Sequence, residues 1–187
     1  MTGPRRGDGS SDDLLDQGLI ARWKAGDQRA ASELVDRHAS ALARFAASCG
    51  ARDEIDELVQ DTFVRAFTSL DGFRWESSFR TWLFTIERRL LMDRRRAERR
   101  RPQALEVGEG DAVSAFDALD DLVADEAQQR LRQAIGRLTP TQREVFVLRV
   151  AEGLSYKEIA VAVSTTEGAA RVHYHNAVRA IKETLDE

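Results

Sequence analysis

The 187-residue chain has a single cysteine, Cys49. No disulfide can form within it, and no zinc set of thiolates is available. Aromatic residues make up 7% of the chain and include three tryptophans, so the expected cores are small and built of Leu, Ile, Val and Ala. No apolar run approaches the roughly 20 residues that a membrane helix needs, and residues 1–13 are polar, without the apolar centre of a secretion signal. These absences lead to the expectation of a cytoplasmic protein with no membrane insertion. Runs that alternate apolar and polar residues between turn signals are nearly missing, which argues against a sheet. There is no glycine-rich phosphate loop and no believable Ser/His/Asp or Cys/His spacing. The sequence therefore nominates no catalytic residue, no metal ligand and no cofactor, and an enzyme is not expected.

What is present is helical spacing and segregated charge. Hydrophobic residues reach 42% and charged residues 32%, with a net charge of -4, enough apolar material for a folded core. The average hides a division. Residues 88–101 carry Arg88, Arg89, Arg94, Arg95, Arg96, Arg99, Arg100 and Arg101 against only Asp93 and Glu98, whereas residues 106–126 hold no Lys or Arg at all. A basic stripe followed by an acidic tether implies two different surroundings.

Leu34, Val35, His38, Leu42 and Phe45 share one helical face, and Ile55, Leu58, Val59, Phe63 and Phe67 make a second stripe that Asp71-Gly72 stops. A third helix is expected over residues 78–101, with Phe79, Trp82, Leu83, Ile86, Leu90 and Leu91 inward and Pro102 ending it. Further on, Leu131, Ile135 and Leu138 open a new helical unit. Thr139-Pro140 with Gln142, and Ser155 with Glu158, are capping boxes. Val145, Phe146, Leu148 and Val150 are the expected buried face between them, and Gly153 the stop. After a break at Ser164-Thr165, Thr166 caps a last helix with Ala170, Tyr174, Ala177, Ile181 and Leu185 inward. The expected fold is all-α: a disordered tail over residues 1–13, a helical domain over 14–101, a flexible acidic linker over 102–121 and a second helical domain over 122–187.

Two short helices joined by a tight turn, with Ala160 and Gly168 at their expected crossing, have the layout of a helix-turn-helix, whose second helix enters a major groove by its N-terminal end. That places Thr166, Glu167, Ala169, Ala170 and Arg171 nearest base edges and phosphates. A three-helix bundle that binds a protein fits the same pattern. In the first domain the arginine-rich helix end reads as a solvated face, a phosphate-tracking stripe or a localisation signal. Phe73, Arg74 and Trp75, then Ser77, Ser78, Phe79 and Arg80, interleave aromatics with cations beside a short polar loop, which suits stacking on single-stranded bases. Phe79 and Trp82 read as core; Phe73 and Trp75 fit either role.

At this point a resemblance becomes specific. The run Glu57-Leu58-Val59-Gln60-Asp61-Thr62-Phe63-Val64-Arg65-Ala66-Phe67 resembles the helix by which bacterial RNA polymerase sigma factors hold the clamp helices of the polymerase's largest subunit. Ser77-Ser78-Phe79-Arg80-Thr81-Trp82-Leu83 is similar to the next segment of those proteins, and Leu90-Leu91-Met92-Asp93 with its trailing arginines to their helix facing the promoter's minus-ten element. Leu138-Thr139-Pro140-Thr141-Gln142-Arg143-Glu144-Val145-Phe146 and Gly153-Leu154-Ser155-Tyr156-Lys157-Glu158-Ile159-Ala160 look like the reader of the minus-thirty-five element. The order and spacing of these motifs, over about residues 14–101 and 122–187 with no further domain, resemble the extracytoplasmic-function (ECF) group.

The resemblance implies a sigma factor that binds core RNA polymerase, directs promoter recognition and promotes DNA opening. Core polymerase would be held by Glu57, Gln60, Asp61 and Arg65, opposite the buried stripe. A base extruded from the non-template strand, and the phosphates beside it, would be met by Phe73, Arg74, Trp75, Ser77, Ser78, Arg80, Arg88, Arg94 and Arg95. Duplex minus-thirty-five DNA would be read by Ser155, Tyr156, Lys157, Thr166, Glu167, Gly168, Ala170 and Arg171. The acidic linker would follow the polymerase's positively charged RNA-exit path, and an anti-sigma factor is an implied partner. The alternative is a stand-alone helix-turn-helix regulator acting on duplex operator DNA.

The chain departs from the family pattern at Arg89, where Asn is usual, at Ser164 and Thr165, where Gly and an apolar residue are usual, and at His173, Asn176 and Val178, often Arg in relatives. Fewer cations on the last helix imply weaker upstream binding and heavier reliance on the first domain. His173 and His175, two residues apart on a helix, diverge and cannot share a metal. His38, in an apolar stripe, reads as a core or partner-contact residue, Cys49 as a small semi-buried one, and Glu54 with Asp56 as a solvated helix start.

Overall fold

The computed structural model describes residues 9–51, 54–100 and 125–186, and among these it is all-α with no strand. In the N-terminal unit α1 spans Gly9–Lys24, α2 Gln28–Ser48, α3 Ile55–Ser69 and α4 Phe79–Arg100, with a 3-10 turn at Leu70–Gly72 between α3 and α4. The C-terminal unit holds α5 (Asp125–Gly136), α6 (Pro140–Val150), α7 (Tyr156–Ala162) and α8 (Glu167–Leu185). The fold is therefore two small helical units, the second carrying a helix-turn-helix in α7 and α8. The acidic linker expected over 102–121 lies outside the described residues. Helix α1 begins at Gly9, inside the stretch expected to be a tail.

Long helices make the first unit, and their apolar stripes converge. Leu34, Leu42 and Phe45 of α2, Leu58 of α3, and Phe79, Leu83 and Phe84 of α4 are fully buried. Phe45 meets Phe84 edge to face at 5.4 Å between centroids, the geometry that aromatic quadrupoles favour. Helix α1 is tied to α2 by polar groups. The carboxylate of Asp16, 1% exposed, accepts from Arg37 Nε at 3.0 Å and lies 2.9 Å from His38 Nε2. His38 is thus a core residue with a carboxylate partner.

The second unit is written by caps. The Thr139 hydroxyl accepts from Gln142 N, and the Gln142 side chain accepts from Thr139 N. Ser155 and Glu158 repeat the arrangement ahead of α7, and Thr166 caps α8 through Ala169 N. Each satisfies amide hydrogens that a helix start leaves open. Arg143 closes the other end of α5, donating to the carbonyls of Ile135 at 3.1 Å and Gly136 at 2.5 Å.

Three expectations need correction. On α6, Val145 and Leu148 are buried as expected, but Val147 and Glu144 join them, Phe146 is half-buried and Val150 is 56% exposed. Helix α6 is packed on one side by α8 and on another by α2 of the first unit, so its buried face is wider than one stripe and turned away from Val150. Gly168 does not lie at a close crossing, since a side chain there would meet open space; Ala170, fully buried, fills that role. Leu185, expected inward on α8, is 38% exposed.

The units are not separate bodies. Helix α7 packs on α4, and α6 on α2. A continuous cluster of buried apolar residues runs from α1–α4 into Val145, Leu148, Leu154, Ile159 and Val163. A smaller cluster of Ala134, Ile135, Leu138, Ala177 and Ile181 joins α5 to α8.

Candidate functional site

Three surfaces carry the residues nominated from the sequence. On α3, burial of Leu58, Val59, Phe63 and Ala66 turns the opposite face to solvent. Glu57, Gln60 and Arg65 are exposed there, and Asp61 is half-buried. The first turn of α3 has no side-chain cap, and its Asp56 and Glu57 offset the helix dipole instead. Arg94 of α4 reaches across, with Nη1 2.7 Å from Glu54 Oε2 and Nη2 2.9 Å from Asp61 Oδ2. The structure thus joins a cation nominated for the strand to a carboxylate nominated for the polymerase.

The loop over 73–78 projects aromatics. Phe73 stacks on Trp82 at 4.6 Å, and Trp75 leans on Phe73 at 4.7 Å. Phe79 is fully buried beneath them, whereas Trp75 is 39% exposed. Trp75 has a φ of 58°, in the left-handed region that bulky residues avoid. Its backbone is held there by ring packing rather than by intrinsic preference. Arg74 is exposed, and Ser77 and Ser78 are half-buried. Ser78 starts α4, its Oγ accepting from Thr81 N at 3.1 Å.

The arginines that follow point at the second unit. Arg88 Nε lies 2.6 Å from Glu144 Oε2, and Arg95 Nη1 lies 3.5 Å from Glu144 Oε1. Arg80 Nη2 lies 2.5 Å from Glu152 Oε2 and its Nη1 donates to the Glu152 carbonyl at 2.9 Å, while Arg44 of α2 contacts Glu152 Oε1 at 3.1 Å. Arg95 also donates to the Cys49 carbonyl. Sequence reasoning missed Glu144, Glu152 and Arg44, because nothing local marks a carboxylate for a partner 56 or 108 positions away.

Two titratable groups lie in the same region. Burial pushes the Cys49 thiol far above its ordinary range, with Glu144 adding to the effect; Cys49 is 1% exposed, more enclosed than the sequence suggested. Glu87 of α4 is fully buried, and neither carboxylate oxygen has a hydrogen-bond partner. Burial, reinforced by the charge of Glu152, holds its carboxyl well above the usual range.

On the helix-turn-helix, Ser155, Lys157, Thr166, Glu167, Gly168 and Arg171 are exposed, and Tyr156 is half-buried. Ala170 must be removed from the base-reading set: its side chain turns into the core, and a fully buried methyl cannot reach a base edge. Ser164, in the turn, has a φ of 56°, which carries the steric penalty that a glycine escapes. Tyr156 lies between two guanidinium groups, Arg149 at 4.8 Å and Arg171 at 5.0 Å from its ring centre. Arg149 was not nominated; it lies at the end of α6, and only the turn at Gly153 (φ 70°) brings it back over the first residue of α7. No group of His, Cys, Asp and Glu among the described residues could hold a metal ion, and no helix there is long and apolar enough to cross a membrane.

Comparison with known proteins places the chain in a family. The model for Sigma-70 region 2 matches residues 34–101, and the model for Sigma-70, region 4 matches residues 128–181. The chain is 33% identical over 161 residues to the RNA polymerase sigma factor NccH of Alcaligenes xylosoxydans xylosoxydans, covering 83% of this chain and 87% of that one. It is 31% identical over 180 residues to the ECF RNA polymerase sigma-E factor of Escherichia coli strain K12, covering 91% and 94%. Among solved structures, CnrH in complex with the cytosolic domain of CnrY superposes with a TM-score of 0.69 at 31% identity, over 92% of this chain and 97% of that one. The sigma factor RpoE in complex with the anti-sigma factor NepR from Bartonella quintana gives a TM-score of 0.64 at 26% identity, over 83% and 96%.

Proposed function

The chain belongs to the RNA polymerase sigma factors, in the ECF group, and we propose that it divides promoter recognition between its two helical units. The N-terminal unit, over 14–101, grips core polymerase and the opened minus-ten strand. The C-terminal unit, over 122–187, reads the minus-thirty-five duplex. Glu57, Gln60, Asp61 and Arg65 meet the polymerase. Phe73, Arg74, Trp75, Ser77 and Ser78 hold an extruded non-template base, with Arg80, Arg88, Arg94 and Arg95 on the phosphates beside it. In the duplex, Tyr156, Lys157 and Arg171 supply side chains, and Ser155, Thr166, Glu167 and Gly168 bring two helix starts to the groove.

The observation that carries this reading is the polar face of α3, exposed directly opposite a fully buried stripe and adjoining a projecting aromatic loop. An isolated bundle has no use for such a pairing, whereas a protein that docks and then captures a strand needs both. The chain contributes no catalysis of its own, works in the cytoplasm where polymerase is, and is controlled by an anti-sigma factor. That partner is suggested by the RpoE–NepR complex among its structural relatives. A stand-alone operator-binding regulator is not favoured, since it has no need of the first unit.

The test is run-off transcription with purified core polymerase on fragmented genomic DNA, in the presence and absence of the chain. Discrete transcripts that depend on the chain are expected. Failure to associate with any bacterial core enzyme would overturn the reading.

A further inference from the structure

Four arginines of the first unit face two carboxylates of the second. Glu144 and Glu152 are almost wholly removed from water, with side chains 2% and 0% exposed. Each is held by a pair of guanidinium groups: Arg88 and Arg95 on Glu144, Arg44 and Arg80 on Glu152. A carboxylate this enclosed persists only while its cations stay with it, because desolvating an unpaired charge is strongly unfavourable. The two contacts join the same helices that pack α7 on α4 and α6 on α2, so they hold the units closed together with the apolar cluster the units share.

Three of the four arginines, Arg80, Arg88 and Arg95, are among those assigned above to strand phosphates. Arg88 is only 13% exposed while Glu144 holds it. A guanidinium group donates in a planar fork that suits a carboxylate and a phosphate equally, and the edge turned to a buried carboxylate is closed to a phosphate while that contact lasts. We propose that Glu144 and Glu152 form a two-point latch that closes the C-terminal unit over the strand-binding arginines, and that a single DNA strand opens it by replacing the two carboxylates with phosphates. The closed chain is thereby self-masked, and its opening is an exchange of one anion for another. The latch itself rests on geometry alone; its opening by a strand rests on the assignment of Arg80, Arg88 and Arg95 given under the proposed function.

The test uses the full-length chain carrying a donor and an acceptor fluorophore at Asp36→Cys on α2 and Lys182→Cys on α8, both exposed positions. Cys49 is buried and competes poorly for the label. The parent should show high transfer efficiency at low salt that falls as a short single-stranded oligonucleotide is added. The double variant E144Q/E152Q should show lower efficiency than the parent from the start. It should also bind the oligonucleotide about tenfold more tightly, because the masked fraction no longer dilutes the competent state. Parent efficiency that does not respond to the strand overturns strand-driven opening; this arm needs no variant and holds even if the double variant folds poorly. Unchanged efficiency in a folded double variant, checked by circular dichroism, overturns the latch. Opening of the variant without a gain in strand affinity upholds the latch and removes the three arginines from the strand contacts.

Discussion

The two helical units reach the same kind of architecture by different means. In the N-terminal unit the helices are long, 21, 15 and 22 residues for α2 to α4, and α3 starts with no side-chain cap at all. Their positions are set by a shared core of Phe45, Leu58, Phe79, Leu83 and Phe84. In the C-terminal unit α7 has only 7 residues and α6 only 11, too short for helices to persist unaided, and every start from α6 to α8 has a hydroxyl cap. The first unit has caps at α2, from Asp27, and at α4, from Ser78, but leans more on non-local packing, and the second leans more on local signals that packing then completes. Their charge is complementary in the same sense: the first supplies arginines at their mutual surface, and the second supplies buried glutamates.

The contrast can be broken most forcefully at the core of the first unit. Phe84→Ala removes a fully buried ring and its edge-to-face contact with Phe45, and should cost about 3–5 kcal/mol, read as a lower midpoint in urea with unchanged slope. A loss below about 1 kcal/mol would mean that the first unit does not rely on that core.

A change of opposite sign is expected at Glu87. Glu87→Leu removes two unpartnered buried oxygens and should stabilise the chain by about 1–3 kcal/mol. Because the folded chain holds this proton more tightly than the unfolded chain does, the parent loses stability as pH rises from the ordinary carboxyl value of 4.5 towards the raised one. The gap between variant and parent should therefore widen with pH over that interval, in denaturant titrations at several pH values. A gap that narrows would show that Glu87 is ionised in the fold.

Asp61→Ala sharpens the comparison on function. It lies on the polar face of α3, so helical content should be retained while affinity for core polymerase falls about tenfold, or about 1.4 kcal/mol, measured by fluorescence anisotropy. Unchanged affinity removes Asp61 from the interface. The smallest effect is expected in the second unit, where Ser155→Ala deletes one cap and should cost about 1 kcal/mol. The same substitution at Ser69, which caps no helix in the first unit through its side chain, should cost less.

These differences also explain what could be read from the residues beforehand. The three caps of the second unit, the polar face of α3 and the inward stripe of α2 depend on neighbours within about one helical turn, so pattern suffices for them. The pairing of Asp16 with His38, and of Glu144 and Glu152 with the arginines, joins positions 22 to 108 apart, where no local rule applies. Ala170 belongs both to the inward stripe of α8 and to the start of the second helix-turn-helix helix, and only tertiary packing assigns it to the core. Val150 departs from its stripe for a related reason: α6 is covered by α8 and also by α2, a helix of the other unit. The site was thus legible as a set of surfaces, while the contacts that now occupy its arginines were not.

The left-handed backbone at Trp75 has a kinetic consequence. Phe73 is stacked between Trp75 and Trp82 with no nucleic acid present, which lowers the ordering cost that capture would otherwise carry. On the proposed reading, a flipped base enters a preorganised cradle, and the benefit lies in how slowly it leaves. Loosening the aromatic stack should therefore shorten the lifetime of the melted complex more than it slows its formation.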